Sequence, residues 1–103
     1  MIIRIVKMTF KKDKLEEFQR IFEHSKEAIR DFEGCLHVEL CRDTLQENVY
    51  FTYSQWVSED ELNAYRNSPF FKSTWNETKE LFEEKAEDHS LEKVYSSEQK
   101  MIT

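Results

Sequence analysis

The sequence predicts an α+β protein with the ferredoxin-like order β-α-β-β-α-β, in which two helices cover one face of an antiparallel sheet. Three observations support this fold class. Strand-like and helix-like stretches alternate in that order, the only glycine follows the first helical stretch, and the only proline interrupts the second helical region. Because 103 residues suffice for one modest core, we expect a single domain over residues 1–103, with 96–103 as a polar C-terminal tail.

The first predicted strand and helix occupy the N-terminal third of the chain. Residues 2–10 read as a strand with apolar residues on both faces, so neither face is expected to lie wholly in water. Asp13 and Glu16 fit a capping box at the start of a helix. Gly34 fits the left-handed position that follows a helix end. The apolar stripe of this helix is Leu15, Phe18, Phe22, Ser25, Ile29 and Phe32.

A hairpin is predicted in the middle of the chain, with strands over 35–42 and 49–57 joined by a polar turn at 43–48. On the first of these strands, alternation places His37 on one face with Glu39 and both cysteines.

The two cysteines, Cys35 and Cys41, are predicted to be buried free thiols. In one strand they would lie about 20 Å apart, whereas a disulfide needs Cα atoms within about 7 Å. With His37 they would form a line of three ligands rather than a tetrahedron, so we expect no metal site.

The second helical region is predicted from its capping residues. Ser58 and Glu61 fit a second capping box, and Ser68-Pro69 fits the N-cap and first position of a following helix. Apolar spacing predicts that this helix continues to Ala86, with the acidic run 77–88 on its solvated face. A short fourth strand is expected over 91–95.

The charge and apolar content argue against two classes of partner. The net charge of -6 disfavours nucleic acid, whose phosphates are bound by basic surfaces. No apolar run approaches the roughly 18–20 residues of a membrane span, and residues 1–7 lack the features of a signal peptide. We therefore expect no nucleic-acid or membrane partner and a cytoplasmic location.

Two helices can cover only one face of the sheet, and the other face still carries apolar residues. Pairing two sheets face to face would cover them, which predicts a homodimer.

Three short motifs mark the ends of the predicted elements: Glu33-Gly34-Cys35, Gln55-Trp56-x-Ser58 and Leu62-x-Ala64-Tyr65-x-x-Ser68-Pro69-x-Phe71. With the strand order, they give nearly the whole chain a resemblance to the antibiotic biosynthesis monooxygenase (ABM) superfamily, which includes small quinol monooxygenases. The resemblance implies a dimeric α+β barrel. It also implies oxidation of quinol-like or polycyclic aromatics by molecular oxygen, without metal or flavin. Such a protein deprotonates the substrate, keeps it dry and stabilises its anion.

The chain departs from the family pattern at two places. Many members carry a histidine in the second helical region, where this chain has Tyr65. Haem-degrading relatives carry a histidine where we align Trp75 and an asparagine where we align Val6, so the resemblance does not extend to haem degradation.

The candidate catalytic residues are His37, as the proton acceptor, and Tyr65, as a hydrogen-bond donor that is a poor base at its ordinary pKa of about 10. The candidate substrate-binding residues are Tyr65, Phe71, Trp75 and Trp56, with Arg66 and Asn76 as polar candidates at the pocket mouth.

Each of these residues also has a purely structural interpretation. The aromatic residues can be core, His37 can be an edge or interface residue, and Trp56 can donate its indole N–H to a backbone carbonyl. The functional hypotheses are therefore a cofactor-independent monooxygenase for a small aromatic molecule, or a non-enzymatic dimer that binds a small ligand or is associated with stress. A cavity lined by Tyr65 and Trp75 would favour both of these hypotheses over the interpretation that the aromatic residues only form a packed core.

Overall fold

The computed structural model describes residues 1–97, and its elements follow the predicted order with the second helical region divided in two. This arrangement confirms the α+β ferredoxin-like class. Among residues 1–97, no helix is both long and apolar enough to cross a membrane. The elements are β1 Ile2–Phe10, a 3-10 turn Lys12–Lys14, α1 Leu15–Arg30, β2 Cys35–Arg42, β3 Val49–Trp56, α2 Glu59–Arg66, α3 Pro69–Lys79 and β4 Phe82–Glu92.

The four strands form one antiparallel sheet in the order β2-β3-β1-β4, and its register defines two faces. Even-numbered residues of β1 and β3, such as the paired Ile2 and Trp56, lie on the helix-covered face. Odd-numbered residues lie on the open face, where Gln55 is opposite both Ile3 and His37. The core therefore lies on one side of the sheet only.

The start of α1 differs from the predicted capping box. Asp13 lies inside the 3-10 turn, and the helix begins at Leu15 after Lys14, which makes no side-chain cap hydrogen bond. The capping box at Asp13 and Glu16 was therefore wrong, because the chain enters the helix through that turn. The amphipathic pattern itself is present, with Phe18 and Ser25 buried.

Gly34 has the predicted left-handed backbone, with φ of 88°, but it lies in the turn before β2 rather than next to the helix end at Arg30. A Cβ atom at this position would lie 2.5 Å from Cβ of Glu61, which is in the first turn of α2. Glycine is required here both by the backbone angle and by this close approach.

The N-caps of α2 and α3 are formed by Ser58 and Ser68, but the predicted capping box of α2 is only half formed, because Glu61 returns no side-chain hydrogen bond to Ser58. The Ser58 Oγ accepts a hydrogen bond from the Glu61 N–H at 3.3 Å, and the Ser68 Oγ accepts one from the Phe71 N–H at 3.1 Å. Pro69 occupies the first position of α3. These caps satisfy N–H groups in the first turns of α2 and α3.

The fourth strand corrects the prediction for the C-terminal third. The helix ends at Lys79 instead of continuing to Ala86, and β4 begins at Phe82 instead of residue 91. Because β4 is an edge strand that pairs only with β1, most of its side chains are exposed, and its sequence lacks apolar alternation. Most of the acidic run therefore lies on a strand. Residues 93–97 have no regular structure, and the predicted tail lies outside the described residues from 98 onward.

An irregularity in β2 changes the face on which Cys35 lies. The register shifts between Cys35, which is opposite Trp56 on the helix-covered face, and His37, which is opposite Gln55 on the open face. Cys35 therefore does not share a face with His37 as predicted. Both thiols are free, but Cys41 is exposed, so its predicted burial was wrong.

Candidate functional site

An aromatic wall borders a cleft of about 400 Å³ between the helices and the β1–β4 side of the sheet. Phe71 and Trp75 lie one turn apart on α3, and their rings stack with centroids 5.9 Å apart and an interplanar angle of 12°. The Phe82 ring meets the Trp75 ring edge-on at 5.5 Å. These three residues form the aromatic wall. The volume falls in the range of small-molecule sites, about 300–1,000 Å³.

A second, smaller cavity lies between α1, α3 and the sheet. It has a volume of about 70 Å³ and is also bordered by Phe71, Trp75 and Arg4. Side chains therefore do not completely fill the space beside the aromatic wall, and its rings have room to adjust.

Arg4 is a buried cation at the base of the cleft. It lies on the helix-covered face of β1 with 8% of its surface exposed, and its Cζ is 5.5 Å from the centroid of the Phe71 ring. Burial lowers the pKa of the Arg4 guanidinium. Its Nε is buried without a hydrogen-bond partner. Because a buried, incompletely satisfied charge is costly to the fold, Arg4 points to a functional role.

A charged rim surrounds the aromatic wall. Asp88 Oδ2 lies 3.7 Å from Arg4 Nη2 and 3.9 Å from Arg66 Nη2, so one carboxylate faces two guanidinium groups. Lys79 and Lys85 complete the rim. Four cationic side chains and one carboxylate therefore line this cleft in a chain whose net charge is -6.

Trp56 and Tyr65 form a buried stack that does not line the cleft. Trp56 is fully buried, and its ring lies 4.8 Å from that of Tyr65 at an interplanar angle of 28°. The Tyr65 ring in turn meets Phe71 edge-on at 5.0 Å. The Trp56 Nε1–H donates to Ser54 Oγ at 3.0 Å, so the predicted backbone partner is replaced by a hydroxyl on the same face of β3. The core interpretation fits these two residues, whereas Phe71 and Trp75 line the cleft.

The Tyr65 hydroxyl stays protonated near neutral pH. Burial raises its pKa to about 12, and the charge of Arg4 only partly opposes this shift. Tyr65 can therefore donate a hydrogen bond but cannot serve as a general base at neutral pH.

An alkaline titration of stability tests this burial. The unfolded phenol has a pKa of about 10, so its folded-state pKa is raised, and the stabilisation from the protonated form is complete below about pH 10. It is lost as the pH rises through the folded value of about 12. We expect the free energy of unfolding to fall by about 2–3 kcal/mol more in the parent than in Tyr65→Phe across this interval. Urea denaturation at several alkaline pH values measures it, and parallel profiles of the two proteins would contradict it.

His37 lies on the opposite side of the sheet from the cleft. Its Nε2 is 3.1 Å from Oε2 of Glu39, and its ring centroid is 6.3 Å from that of Tyr53 on the open face. The structure does not bring His37 together with Phe71 or Trp75, because the sheet separates them. Within this chain, His37 cannot reach a ligand in the cleft.

The family of the chain follows from a match over most of its length. The sequence model of the family described as antibiotic biosynthesis monooxygenase matches residues 1–77, from β1 into α3. The chain belongs to the antibiotic biosynthesis monooxygenase family. No curated protein matches the chain.

Solved structures place this ABM chain in a widely shared fold. A provisionally named antibiotic biosynthesis monooxygenase from Deinococcus radiodurans has a TM-score of 0.88 and 15% identity, covering 97% of this chain and 99% of that one. A conserved protein from Methanosarcina mazei Go1 has a TM-score of 0.85 and 22% identity, covering 90% of this chain and 93% of that one. A protein from Mycobacterium tuberculosis has a TM-score of 0.86 and 14% identity, covering 94% of this chain and 98% of that one. At these identities the likeness establishes the fold alone.

Sequence reasoning missed most of the charged residues of the ABM cleft. Arg66 was expected at a pocket mouth and does line the cleft, whereas Asn76 is not among its lining residues. Arg4 carried a usable signal, because it interrupts the apolar face of a strand between Ile2 and Val6. Lys85 and Asp88 were assigned to a helix and could not be placed.

The described part of the ABM chain also defines its metal-binding potential. Over residues 1–97, no three His, Cys, Asp or Glu side chains are grouped so that they could hold a metal ion.

Proposed function

We propose that this protein is a cofactor-independent monooxygenase that binds a small quinol- or anthrone-like molecule in the cleft and oxidises it with molecular oxygen. The observation that supports this most is the aromatic wall beside the buried cation of Arg4. A ring can stack on Phe71 and Trp75 while a developing anion meets positive charge.

The reaction balances without an external reductant. In an anthrone-like substrate, an activated ring methylene loses a proton, and the resulting enolate transfers an electron to oxygen. Recombination of the two radicals forms a carbon–oxygen bond and a peroxide anion. The peroxide regains the proton, and the resulting hydroperoxide loses water to leave a ring carbonyl. The methylene supplies all four electrons, one oxygen atom enters the product and the other leaves as water.

The cleft promotes the first step through its charge. Positive side chains near the substrate favour its ionised form and so lower its pKa. Tyr65 is protonated and His37 lies on the other face, so neither accepts the proton in one protomer. Asp88 is the carboxylate that lines the cleft, and in this proposal it takes the proton.

Oxygen-electrode turnover on a panel of reduced quinols and anthrones, with a metal chelator present, tests the proposal. We expect consumption above the autoxidation blank that falls in Arg4→Met and Asp88→Asn. Labelled oxygen should give product with one labelled atom. Consumption no faster than the blank across the panel would contradict the proposal. A loss in His37→Ala would instead show that the open face contributes to the chemistry.

A non-enzymatic ligand-binding function is the second candidate, and a specific observation favours it. Both sequence-predicted catalytic residues are unsuited to proton abstraction in the cleft, His37 by position and Tyr65 by its raised pKa. Saturable binding of the panel compounds without oxygen consumption would support this function over the first.

We also propose that the protein is a homodimer joined through the open face. Ile3, Ile5, Phe51 and Tyr53 lie half-buried on this face, and Leu91 is 46% exposed opposite Ile3. A second copy would cover this apolar surface. Light scattering after size exclusion should give twice the chain mass, and Ile5→Asp should shift it toward the monomer. A monomeric mass for the parent at micromolar concentration would contradict the dimer.

The cytoplasm is the proposed compartment. Both cysteines are free and Cys41 is exposed, as is typical of proteins kept in a reducing environment. Cell fractionation tests this proposal, and recovery outside the cytoplasm would contradict it.

A further inference from the structure

The charge of the cleft is opposite in sign to that of the chain as a whole. Four cationic side chains and one carboxylate line it, although the chain carries a net charge of -6. A positive concave site in an acidic protein attracts anions locally and repels them elsewhere. This sign difference indicates what kind of ligand the cleft selects.

The cations divide into two pairs with different partners. Arg4 and Arg66 both face Asp88, with nitrogen–oxygen distances of 3.7 Å and 3.9 Å. Lys79 and Lys85 form no ion pair within residues 1–97. The second pair therefore offers positive charge that no side chain among those residues neutralises.

The free lysine pair and the aromatic wall border the same cleft. Lys79 is the last residue of α3, one turn beyond Trp75, and Lys85 lies on β4 three residues after Phe82. Both lysines are exposed, so their ammonium groups can meet a ligand at the mouth without first losing their hydration. A ring stacked on the wall would direct a substituent toward them.

We propose that the cleft selects aromatic ligands that carry a carboxylate, with the ring on Phe71 and Trp75 and the carboxylate held by Lys79 and Lys85. The two arginines, already facing Asp88, remain to stabilise charge that develops on the ring. This inference rests on the cleft being the ligand site of the proposed function, but it does not require oxygen chemistry.

Binding of two matched probes to the 103-residue chain tests the proposal. Naphthoate carries a carboxylate, naphthamide is its neutral counterpart, and neither has an activated methylene that could turn over. Isothermal titration should show naphthoate binding about five- to tenfold more tightly than naphthamide, as two partly exposed ion pairs allow. The preference should shrink at high salt, which screens exposed charges.

Two double variants that lose the same charge show whether the preference for naphthoate depends on Lys79 and Lys85. Lys79→Gln combined with Lys85→Gln should bring the two affinities to within about twofold of each other. Lys72→Gln combined with Lys93→Gln removes the same charge from lysines outside the cleft and should leave the preference intact. Lys72, Lys79 and Lys85 are exposed and Lys93 is half-buried. None of the four forms an ion pair within residues 1–97, so both variants should fold.

Three outcomes would overturn the inference: equal affinities in the parent protein, a preference that survives the Lys79 and Lys85 changes, or no binding of either probe. The last would also remove the cleft as the ligand site and with it the proposed function. A clear preference without oxygen consumption on the quinol panel would leave the inference standing and contradict only the monooxygenase.

Discussion

Trp56→Ala is expected to lower the free energy of unfolding by about 3–5 kcal/mol, as large-to-small changes of buried aromatics do. Trp56 is fully buried at the end of β3 and packs with Leu62 and Tyr65 in one core cluster. Removing its ring also removes the stack with Tyr65 and the hydrogen bond to Ser54. A domain of this size has roughly 5–15 kcal/mol in total, so the loss approaches the limit of folding.

Urea denaturation followed by circular dichroism measures this loss. Trp56→Phe is the matched control, because it keeps an aromatic ring for the stack but lacks the indole N–H. Trp56→Phe should lose less free energy of unfolding than Trp56→Ala, and it should remain folded even if Trp56→Ala does not fold. A change of less than about 1 kcal/mol for Trp56→Ala would contradict the proposed importance of this cluster.

Trp75→Ala should act mainly on ligand binding. Its ring is half-buried and borders the cleft, so the cost of about 3–5 kcal/mol for truncating a packed tryptophan overstates the loss. We expect a smaller stability loss than for Trp56→Ala. Naphthoate affinity should fall by on the order of tenfold, because the ligand loses a stacking surface.

Titration calorimetry and denaturation of the same preparation separate the two effects. Trp75→Phe is the control, since a smaller ring can still stack on Phe71 and should recover part of the affinity. Unchanged naphthoate affinity in Trp75→Ala would mean that the ligand does not contact the aromatic wall. A stability loss as large as that of Trp56→Ala would identify Trp75 as a core residue.

The elements with local signals could be predicted from the sequence. Ser58 and Ser68 start their helices because each side chain accepts a nearby N–H, an interaction that depends on few residues. Gly34 could be predicted to be left-handed, but the reason it must be glycine includes Glu61, which is close only in the folded chain.

Features set by distant contacts could not be read from the sequence. β4 is a strand because β1 supplies its hydrogen bonds, although its own residues favour a helix or loop. The β2 irregularity likewise moves Cys35 to the other face, and no glycine or proline lies between Cys35 and His37 to mark the register shift. The position of His37 on a strand could be predicted from the sequence. Its separation from the cleft could not, because the sequence does not show which face of the sheet the helices cover.

Some residues of the cleft could be predicted from local sequence patterns, and others could not. Phe71 and Trp75 could be predicted because helical spacing alone puts them together. Arg4, Lys85 and Asp88 come from two strands that meet only through the sheet, so no local pattern links them. Phe71, Trp75 and Arg66 of the cleft were therefore predictable, whereas Phe82 and the other charged residues were not.

The outer edge of the sheet bears on how the protein avoids aggregation. Unpaired backbone groups on an edge strand such as β4 can recruit a strand of another chain. Five of the eleven residues of β4 are acidic, so two copies pairing along this edge would set like charges beside each other. The acidic edge thus opposes pairing of two copies through β4, while the apolar open face stays available for the proposed dimer.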